Sequence, residues 1–244
     1  MIIAIDGPAG AGKSTVAKII SQKLGFLYID TGAMYRALTL RVLENNVDIK
    51  DIERIVSLAT NTNIDLINNR DGSLKILVDG QDVSNEIREP RITKFVSDIA
   101  KIKDVRKIML GLQRGLGEER DSVLDGRDIG TVVFPNAEKK FYIDADFSER
   151  VRRRHKELKE LGQDITLDEV EADLHNRDTI DSTREFAPLK KAEDAICIDT
   201  TNMTIAEVVE TLLGYIKSQS HPSASLRASK VRAQASPKGT KSPG

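Results

Sequence analysis

With 244 residues, the chain is long enough for one substantial core, and its 39% hydrophobic and 31% charged residues are typical of a soluble globular protein. It has no tryptophan and only 4% aromatic residues, which gives no sign of a base-stacking surface, and no apolar run approaches the roughly 18 residues of a membrane span. The formal net charge is −1, but residues 218–244 hold five basic and no acidic residues, which leaves −6 on residues 1–217.

The basic segment 218–244 is rich in serine, alanine, lysine and proline and has Leu226 and Val231 as its only large aliphatic residues. Such a composition cannot bury enough apolar surface to become ordered, so we expect a disordered tail. A weak tether to nucleic acid is the alternative reading of its charge.

Location and assembly follow from three further features. The N-terminal MIIAIDG lacks the basic region of a signal peptide, and Cys197 is the only cysteine, so an intrachain disulfide is impossible. No apolar stripe stands out beyond those of the predicted core. We therefore expect a cytoplasmic, monomeric enzyme that does not interact with membranes.

In the first part of the chain, strands and helices alternate. The β-branched run at 1–6 predicts a buried strand, residues 16–25 a helix that ends at Gly25, and residues 26–30 a second strand. Helices are predicted at 32–46 and 52–60. Three short antiparallel strands are then predicted, at 63–69, 74–80 and 81–84. Turn signals lie at 69–72 and 79–80. This block, about 61–90, interrupts the alternation and has the character of an inserted subdomain.

From residue 91 the alternation resumes. Two helices (92–100 and 105–119) precede strands at 122–126 and 139–145, and a very basic helix at 148–162 follows. Thr166 and Glu169 have capping-box spacing, which predicts a helix from 166 to about 178. A last strand at 195–200 and an amphipathic helix at 205–218 complete the pattern. We predict an α/β fold with a mostly parallel sheet covered on both faces.

The segment GPAGAGKST lies between the first strand and the first helix and matches the phosphate-loop pattern G-x-x-x-x-G-K-[ST] in its required context. Its glycines allow backbone N–H groups to point at phosphate oxygens, and the helix N-terminus adds its positive end. Lys13 can bridge the β- and γ-phosphates, and the Ser14 hydroxyl can bind Mg²⁺. The predicted nucleotide-binding residues are Gly7, Pro8, Ala9, Gly10, Ala11, Gly12, Lys13, Ser14 and Thr15.

The phosphate loop predicts a nucleoside triphosphate but leaves the protein class open. A switch GTPase needs an NKxD element, which is missing because NTNID at 61–65 lacks the lysine. A motor or clamp ATPase usually carries a longer acidic strand motif than SVLD at 122–125, which ends in Asp125. A kinase of a small acceptor needs a second, basic pocket.

Arginines from three separate segments supply candidates for that pocket: Arg36 in DTGAMYR, Arg127 at the end of the strand 122–126, and Arg177 and Arg184 in NRDTIDSTR. Because the carboxyl ends of parallel strands share one crevice, loops that are distant in sequence converge there. Guanidinium groups bind phosphate in a bidentate manner, so such a set suits an anionic acceptor such as a monophosphate.

Residues 1–217 resemble the bacterial-type cytidylate kinases, a family of P-loop nucleoside monophosphate kinases. The resemblance is carried by IDGPAGAGKST, DTGAMYR, DGRDIGTVVFP and the R-D-x-x-D-S-T-R segment that APL follows. The block at 61–90 resembles the family's enlarged monophosphate-binding subdomain. The resemblance implies a P-loop NTPase-type doubly wound parallel sheet, with this subdomain as an insert and a helical lid at about 150–188.

The activity that the resemblance implies is transfer of the γ-phosphoryl group of ATP to CMP or dCMP, which gives CDP or dCDP plus ADP. Three residues are expected to hold the acceptor phosphate: Arg36, Arg127 and Arg184. Three are expected to read the cytosine: Ser97, Arg106 and Asp128. Arg177 and Asp181 are expected to bind the sugar. Thr31 stands where the family often has serine, keeps a hydroxyl and joins the substrate-binding set.

The expected mechanism is in-line transfer, in which Lys13, Arg127 and Arg184 neutralise charge on the transferred group. Ser14 and Asp125 are expected near Mg²⁺. The acceptor phosphate is itself a nucleophile, so no strong general base is needed, and we interpret His155 and His175 as surface or lid residues. The loop 199–201, after the last strand, is expected to flank the adenine.

The basic helix is expected to lead into a lid that closes over ATP. Its adjacent arginines cannot all share one face, because neighbouring residues are about 100° apart. We expect one or two of Arg150, Arg152, Arg153 and Arg154 to contact phosphates and the others to be solvated or paired with Glu157 and Glu160.

Two other functions stay open from the sequence. One is a kinase for another small anionic acceptor, such as UMP, AMP or shikimate. The other is a nucleotide-gated protein that recruits nucleic acid through the tail, against which the acidic residues 1–217 argue.

Overall fold

The computed structural model describes residues 1–69 and 73–218. Most of the predicted turn at 69–72 and all but the first residue of the predicted tail at 218–244 lie outside the described residues.

A five-stranded parallel sheet forms the centre of the molecule, in the order β2-β6-β1-β7-β8. Its strands are β1 (Ile2–Asp6), β2 (Leu27–Asp30), β6 (Ser122–Gly126), β7 (Lys139–Asp144) and β8 (Ile196–Asp199). Along β1, Ala4 belongs to one hydrophobic cluster and Ile3 and Ile5 to another. Alternate side chains thus pack on opposite faces, and the predicted doubly wound sheet is confirmed.

Eight helices are present in the described residues: α1 (Lys13–Leu24), α2 (Thr31–Glu44), α3 (Ile52–Asn61), α4 (Pro90–Ala100), α5 (Lys103–Glu118), α6 (Phe147–Glu160), α7 (Leu167–Thr183) and α8 (Ile205–Lys217). Helix α1 ends at Gly25, whose φ of +70° is in the left-handed region, as the sequence predicted. The capping box of Thr166 and Glu169 is also present. Helix α7, however, continues to Thr183 instead of ending near residue 178, since no helix-breaking residue interrupts it.

The predicted short strands form a separate antiparallel sheet of β3 (Ile64–Asn68), β4 (Leu74–Val78) and β5 (Gln81–Asp82). Ile64, Ile76 and Val78 belong to the same buried cluster as residues of α2, α4 and α5. The Asn68 side chain accepts from the Tyr28 backbone N–H (3.1 Å) and donates to its carbonyl (3.0 Å). It thereby pairs with β2, a strand at the edge of the central sheet.

A π-helical turn, Ile129–Val133, follows β6 and was not predicted. The Val133 N–H donates to the Asp128 carbonyl (3.1 Å) and the Phe134 N–H to the Ile129 carbonyl (2.7 Å), five residues back in each case. This geometry is rare and is enriched at functional sites. It follows directly on the DGRD segment and sets the direction in which that segment leaves the strand.

Helices α6 and α7 form a hairpin with a small core of its own, made by Val151, Leu158, Val170 and Leu174. Ala9 of the phosphate loop packs into the same cluster. The hairpin covers most of the predicted lid segment. Within the described residues, no helix has the length and apolar character to cross a bilayer.

Candidate active site

A cavity of about 650 Å³ lies where β1, β2 and β6 end at their carboxyl termini. Its wall contains every site residue predicted from the sequence except Gly7 and Pro8. Among the described residues, ten cationic and six anionic side chains line it, so the cavity suits a strongly anionic ligand.

The phosphate loop has the backbone that phosphate binding requires. Gly7, Gly10 and Gly12 have φ values of +147°, +77° and +88°. A Cβ on Gly7 would lie 1.9 Å from the Ile143 carbonyl oxygen, so only glycine fits there. Gly12 precedes α1 without a side-chain cap, which leaves the first N–H groups of the helix for an anion.

Lys13 is buried, with 5% of its surface exposed, and its ammonium donates to the Pro8 carbonyl at 2.5 Å. The pKa of Lys13 is lowered to about 7, mainly by burial and then by the charge of Arg127, against the opposing effect of Asp125. A phosphate ligand would restore the charged form.

Asp125, at the end of β6, accepts one hydrogen bond on each carboxylate oxygen. Ser14 Oγ donates to Oδ2 at 2.7 Å, and the Tyr28 hydroxyl donates to Oδ1 at 2.9 Å. Burial, together with the charge of Asp30, raises the pKa of Asp125 to about 6. Burial also raises the pKa of Tyr28 well above 10, so its hydroxyl stays a donor. The Thr31 hydroxyl donates to the Asp125 carbonyl at 2.7 Å.

In another part of the cavity wall, two carboxylates are shared by three arginines. Asp181 accepts from Arg127 Nε (2.8 Å) and Arg184 Nη1 (3.2 Å). Asp128 accepts from Arg106 Nη2 (2.7 Å) and Arg184 Nη2 (3.3 Å). Most of these guanidinium and carboxylate groups are buried. The free-energy cost of removing each charge from water must therefore be offset by its ion-pair partners.

Several cations here are left without full compensation. Burial lowers the pKa of Arg177 to about 10, as do Arg127 and Arg154 nearby, and its partner Asp173 lies at 3.7 Å. Arg36 pairs with Asp30 at 3.1 Å, yet its buried Nε has no partner, and the same holds for Nε of Arg106. Buried donors of this kind call for a ligand.

The comparison with known proteins decides the family. A sequence model of the cytidylate kinases matches residues 3–218. The chain belongs to the cytidylate kinase family. Over 215 residues it is 52% identical to a cytidylate kinase of Alkaliphilus oremlandii, covering 88% of this chain and 97% of that protein. It is 49% identical over 216 residues to a cytidylate kinase of Clostridioides difficile, which covers 88% of this chain and 98% of that protein.

The fold is also similar to the crystal structure of an uncharacterized protein from Eubacterium ventriosum. The TM-score is 0.50 at 14% identity, over 90% of this chain and 99% of the other. At this identity the likeness concerns the fold alone.

In this cytidylate kinase, α7 explains how the R-D-x-x-D-S-T-R segment meets the cavity. Arg177 and Asp181 are four residues apart on the helix and therefore share one face, and Arg184 follows at its end. The predicted helix, which ended near residue 178, contained Arg177 but not Asp181 or Arg184. Because the observed helix continues to Thr183, it carries both Arg177 and Asp181 and gives them a rigid support.

The arginines of α6 differ in their surroundings. Arg150 does not line the cavity: it is buried and donates to the Ala9 carbonyl (3.0 Å) and to Asp178 (2.6 Å), which ties the hairpin to the phosphate loop. Arg152, Arg153 and Arg154 do line the cavity.

The predicted partners of these arginines are partly wrong. Arg154 pairs with Glu157 at 2.8 Å, as expected. Arg152 and Arg153 instead share Glu149, each at 2.7 Å, while Glu160 lies 3.8 Å from Lys156. Glu149 precedes Arg152 by three residues and Arg153 by four, so it lies on the same side of the helix as both. Which of these arginines contact phosphates remains a prediction.

Of the loop 199–201, only Thr200 lines the cavity, and it accepts from Arg153 Nη1 at 3.0 Å. Met203, Ile205 and Val208 supply an apolar wall beside it that the sequence analysis missed. His155 and His175 lie on α6 and α7, as expected, and do not appear in the described cavity wall.

Two further residues were missed. Asp6, at the end of β1, accepts from the backbone N–H of Ile129 (2.8 Å) and Gly130 (2.7 Å) and so holds the turn after DGRD. Burial raises its pKa to about 6. Arg88, from the turn Glu86–Arg88, lines the cavity. An aspartate that ends a buried apolar strand is a sequence signal for Asp6, whereas nothing in the sequence marks Arg88.

Proposed function

We propose that this cytidylate kinase transfers the γ-phosphoryl group of ATP to CMP or dCMP and releases ADP with CDP or dCDP. The observation that carries the proposal is the single cavity that joins a phosphate loop to a buried arginine–carboxylate network. Membership of the cytidylate kinase family supports the choice of acceptor.

On the donor side, the N–H groups that follow Gly12 and the Lys13 ammonium would hold the triphosphate. In the proposed reaction, an oxygen of the acceptor phosphate attacks the γ-phosphorus, and the bond between that phosphorus and its bridging oxygen to the β-phosphate breaks. Lys13, Arg127 and Arg184 would neutralise the charge on the transferred group. The nucleophile is already an oxyanion, so no histidine is needed as a base.

On the acceptor side, Arg36, Arg127 and Arg184 would bind the acceptor phosphate through charge-assisted hydrogen bonds. Ser97, Arg106 and Asp128 would contact the cytosine, whose exocyclic amine is a donor suited to a carboxylate. Arg177 and Asp181 would bind the sugar. Thr31 would complete the set from the start of α2.

The residues also fit Mg²⁺. The Asp125 carboxylate and Ser14 hydroxyl offer adjacent oxygen donors in the cavity. In the described part of the chain, no three acidic, histidine or cysteine side chains group to hold a metal unaided, and Mg²⁺ is commonly bound by one or two carboxylates plus substrate phosphates. A bound Mg²⁺ would neutralise phosphate charge.

We also propose that the protein acts as a cytoplasmic monomer without a nucleic-acid partner. The large hydrophobic side chains that are exposed in the described residues are dispersed along the chain, for example Ile52, Leu161 and Tyr215. Such scattered residues are normal on a monomer.

The test is ADP formation from MgATP with CMP, dCMP, UMP, AMP or no acceptor, on the full chain. We expect turnover with CMP and dCMP at least about tenfold above the other reactions. Equal turnover with UMP or AMP would indicate another acceptor. Equal ADP in every reaction, including the one without acceptor, would indicate an ATPase and contradict the proposal.

A further inference from the structure

Tyr28 contacts the proposed metal site from the protein interior. Its hydroxyl donates to Oδ1 of Asp125 at 2.9 Å, while Ser14, which lines the cavity, donates to Oδ2 at 2.7 Å. Tyr28 itself has 4% of its surface exposed and is absent from the described cavity wall. The two oxygens of one carboxylate are therefore held by two different donors, one in the cavity wall and one in the core.

The position of the Tyr28 hydroxyl is itself fixed. The ring packs in a core cluster with Ile3, Ile20 and Val123. The Tyr28 backbone is paired on one side with β6, in register with Val123, and on the other with the Asn68 side chain. A hydroxyl so supported holds a carboxylate in one rotamer, because turning Asp125 about its Cβ–Cγ bond would break both hydrogen bonds.

We propose that Tyr28 is a positioning residue that orients the Asp125 carboxylate for the metal–nucleotide complex. The inference rests on the proposed role of Asp125 as a metal ligand. Hydrogen-bond partners of metal ligands typically change metal affinity by about 10–100-fold when they are removed. Tyr28 would act through Asp125 alone and would not touch either nucleotide.

The competing explanation is that the hydroxyl only satisfies a buried carboxylate. Loss of the hydroxyl would then lower stability, or weaken every nucleotide equally, without a specific effect on metal-dependent binding. The two explanations differ in the ratio between the affinities for metal-bound and metal-free nucleotide.

The experiment measures ADP binding to the full chain by calorimetry, once in EDTA and once with saturating Mn²⁺ as the metal probe. In Tyr28→Phe, which keeps the ring and loses the hydroxyl, we expect Mn²⁺–ADP affinity to fall about tenfold. Metal-free ADP affinity and the KM for CMP should stay within about twofold. Tyr215→Phe, at an exposed tyrosine on α8, is the matched control and should change neither affinity.

Equal affinities for Mn²⁺–ADP in Tyr28→Phe and wild type, or equal losses with and without metal, would overturn the inference. Asp125→Asn serves as the reference. If it left Mn²⁺–ADP binding unchanged, the proposed metal role of Asp125 would fail instead, and the two failures are thereby distinguished. Urea unfolding of Tyr28→Phe checks that it is folded, and if it is only partly folded at room temperature, the same titrations are made at a lower temperature at which it is folded, with the same outcomes.

Discussion

Arg127 shows how a single residue links the halves of the cavity. Its Nε donates to Asp181 on α7, and its Nη1 donates to the Gly126 carbonyl (3.2 Å). Its charge is, after burial, the second cause of the lowered pKa of Lys13. A guanidinium held by its Nε and one Nη1 hydrogen bond keeps further N–H groups for a ligand. Arg127 thus links Lys13 electrostatically to the network of arginines and carboxylates around Asp181.

We expect Arg127→Ala to lower kcat/KM for CMP by about 100-fold or more, because roughly 3 kcal/mol of charge-assisted hydrogen bonding to the acceptor is lost. ATP affinity should change by less than about threefold, since the phosphate loop is intact. Steady-state kinetics and ATP titration measure both. Arg54→Ala, at an exposed arginine of α3, is the control. Unchanged CMP turnover would remove Arg127 from the site.

Lys13 makes a prediction about stability and pH. The pKa of Lys13 is about 7 in the folded chain and about 10.5 in the unfolded chain. Between these pH values the unfolded chain holds a proton that the folded chain lacks, so stability rises with pH. The contribution of Lys13 to stability is therefore fully present above about pH 10.5 and is lost as the pH falls towards 7. Lys13→Met removes the free-energy cost of deprotonating this amine on folding and should raise the free energy of unfolding by about 1–3 kcal/mol at pH 7.5. The gain should shrink at pH 9.5.

Urea unfolding of the unliganded proteins at both pH values measures this difference. Lys23→Met, at an exposed lysine of the same helix whose side chain lies 3.6 Å from Glu210, should show little gain at either pH. A Lys13→Met variant that is less stable than wild type at pH 7.5 would show that the Pro8 hydrogen bond outweighs desolvation.

At the scale of elements, the site depends on how closely neighbouring segments approach. The phosphate loop passes against β7 and α6: a Cβ on Gly7 would meet the Ile143 carbonyl, and a Cβ on Gly10 would lie 2.9 Å from the Arg150 carbonyl. The Arg150 side chain joins the same loop to α6 and α7. Loop, sheet and hairpin are therefore packed as one unit around the triphosphate position.

We expect Gly7→Ala to destabilise the fold by about 3 kcal/mol or more, since backbone strain and a direct clash add, and to abolish ATP binding. Gly25→Ala is the matched control because Gly25 also has a positive φ (+70°) but no heavy atom within 4 Å of its ideal Cβ. It should cost about 1–2 kcal/mol and keep activity. Urea unfolding and ATP titration compare the two variants. Equal losses of stability and of ATP affinity would show that backbone strain alone, without the clash, accounts for the effect.

At the scale of the whole molecule, the two faces of the sheet carry separate hydrophobic clusters, and the cavity lies at the edge where both meet. The β3–β5 sheet packs on one of these clusters, while the α6–α7 hairpin has its own small core. The hairpin core also contains Ala9 of the phosphate loop, so the hairpin packs against the part of the cavity that this loop forms.

A chain that ends after Ser218 should keep kcat/KM for CMP within about twofold, because the family match ends at residue 218 and the described residues of the cavity wall lie between Ala9 and Val208. Kinetics of the full and shortened chains, with RNA titration at two salt concentrations, test this. A large loss of turnover would give the tail a role in the site, and RNA binding by the full chain alone would support the tether.

The sequence alone determined the order of strands and helices, the phosphate loop and the segments that carry the acceptor arginines, because each depends on a local pattern of neighbouring residues. The tertiary structure decided which of these residues contact each other. Asp6 meets Gly130 across 124 positions and Tyr28 meets Asp125 across 97, and no local periodicity encodes such pairs. The π-turn after β6 likewise depends on contacts that form only when distant segments pack, since Asp6 accepts from Ile129 and Gly130.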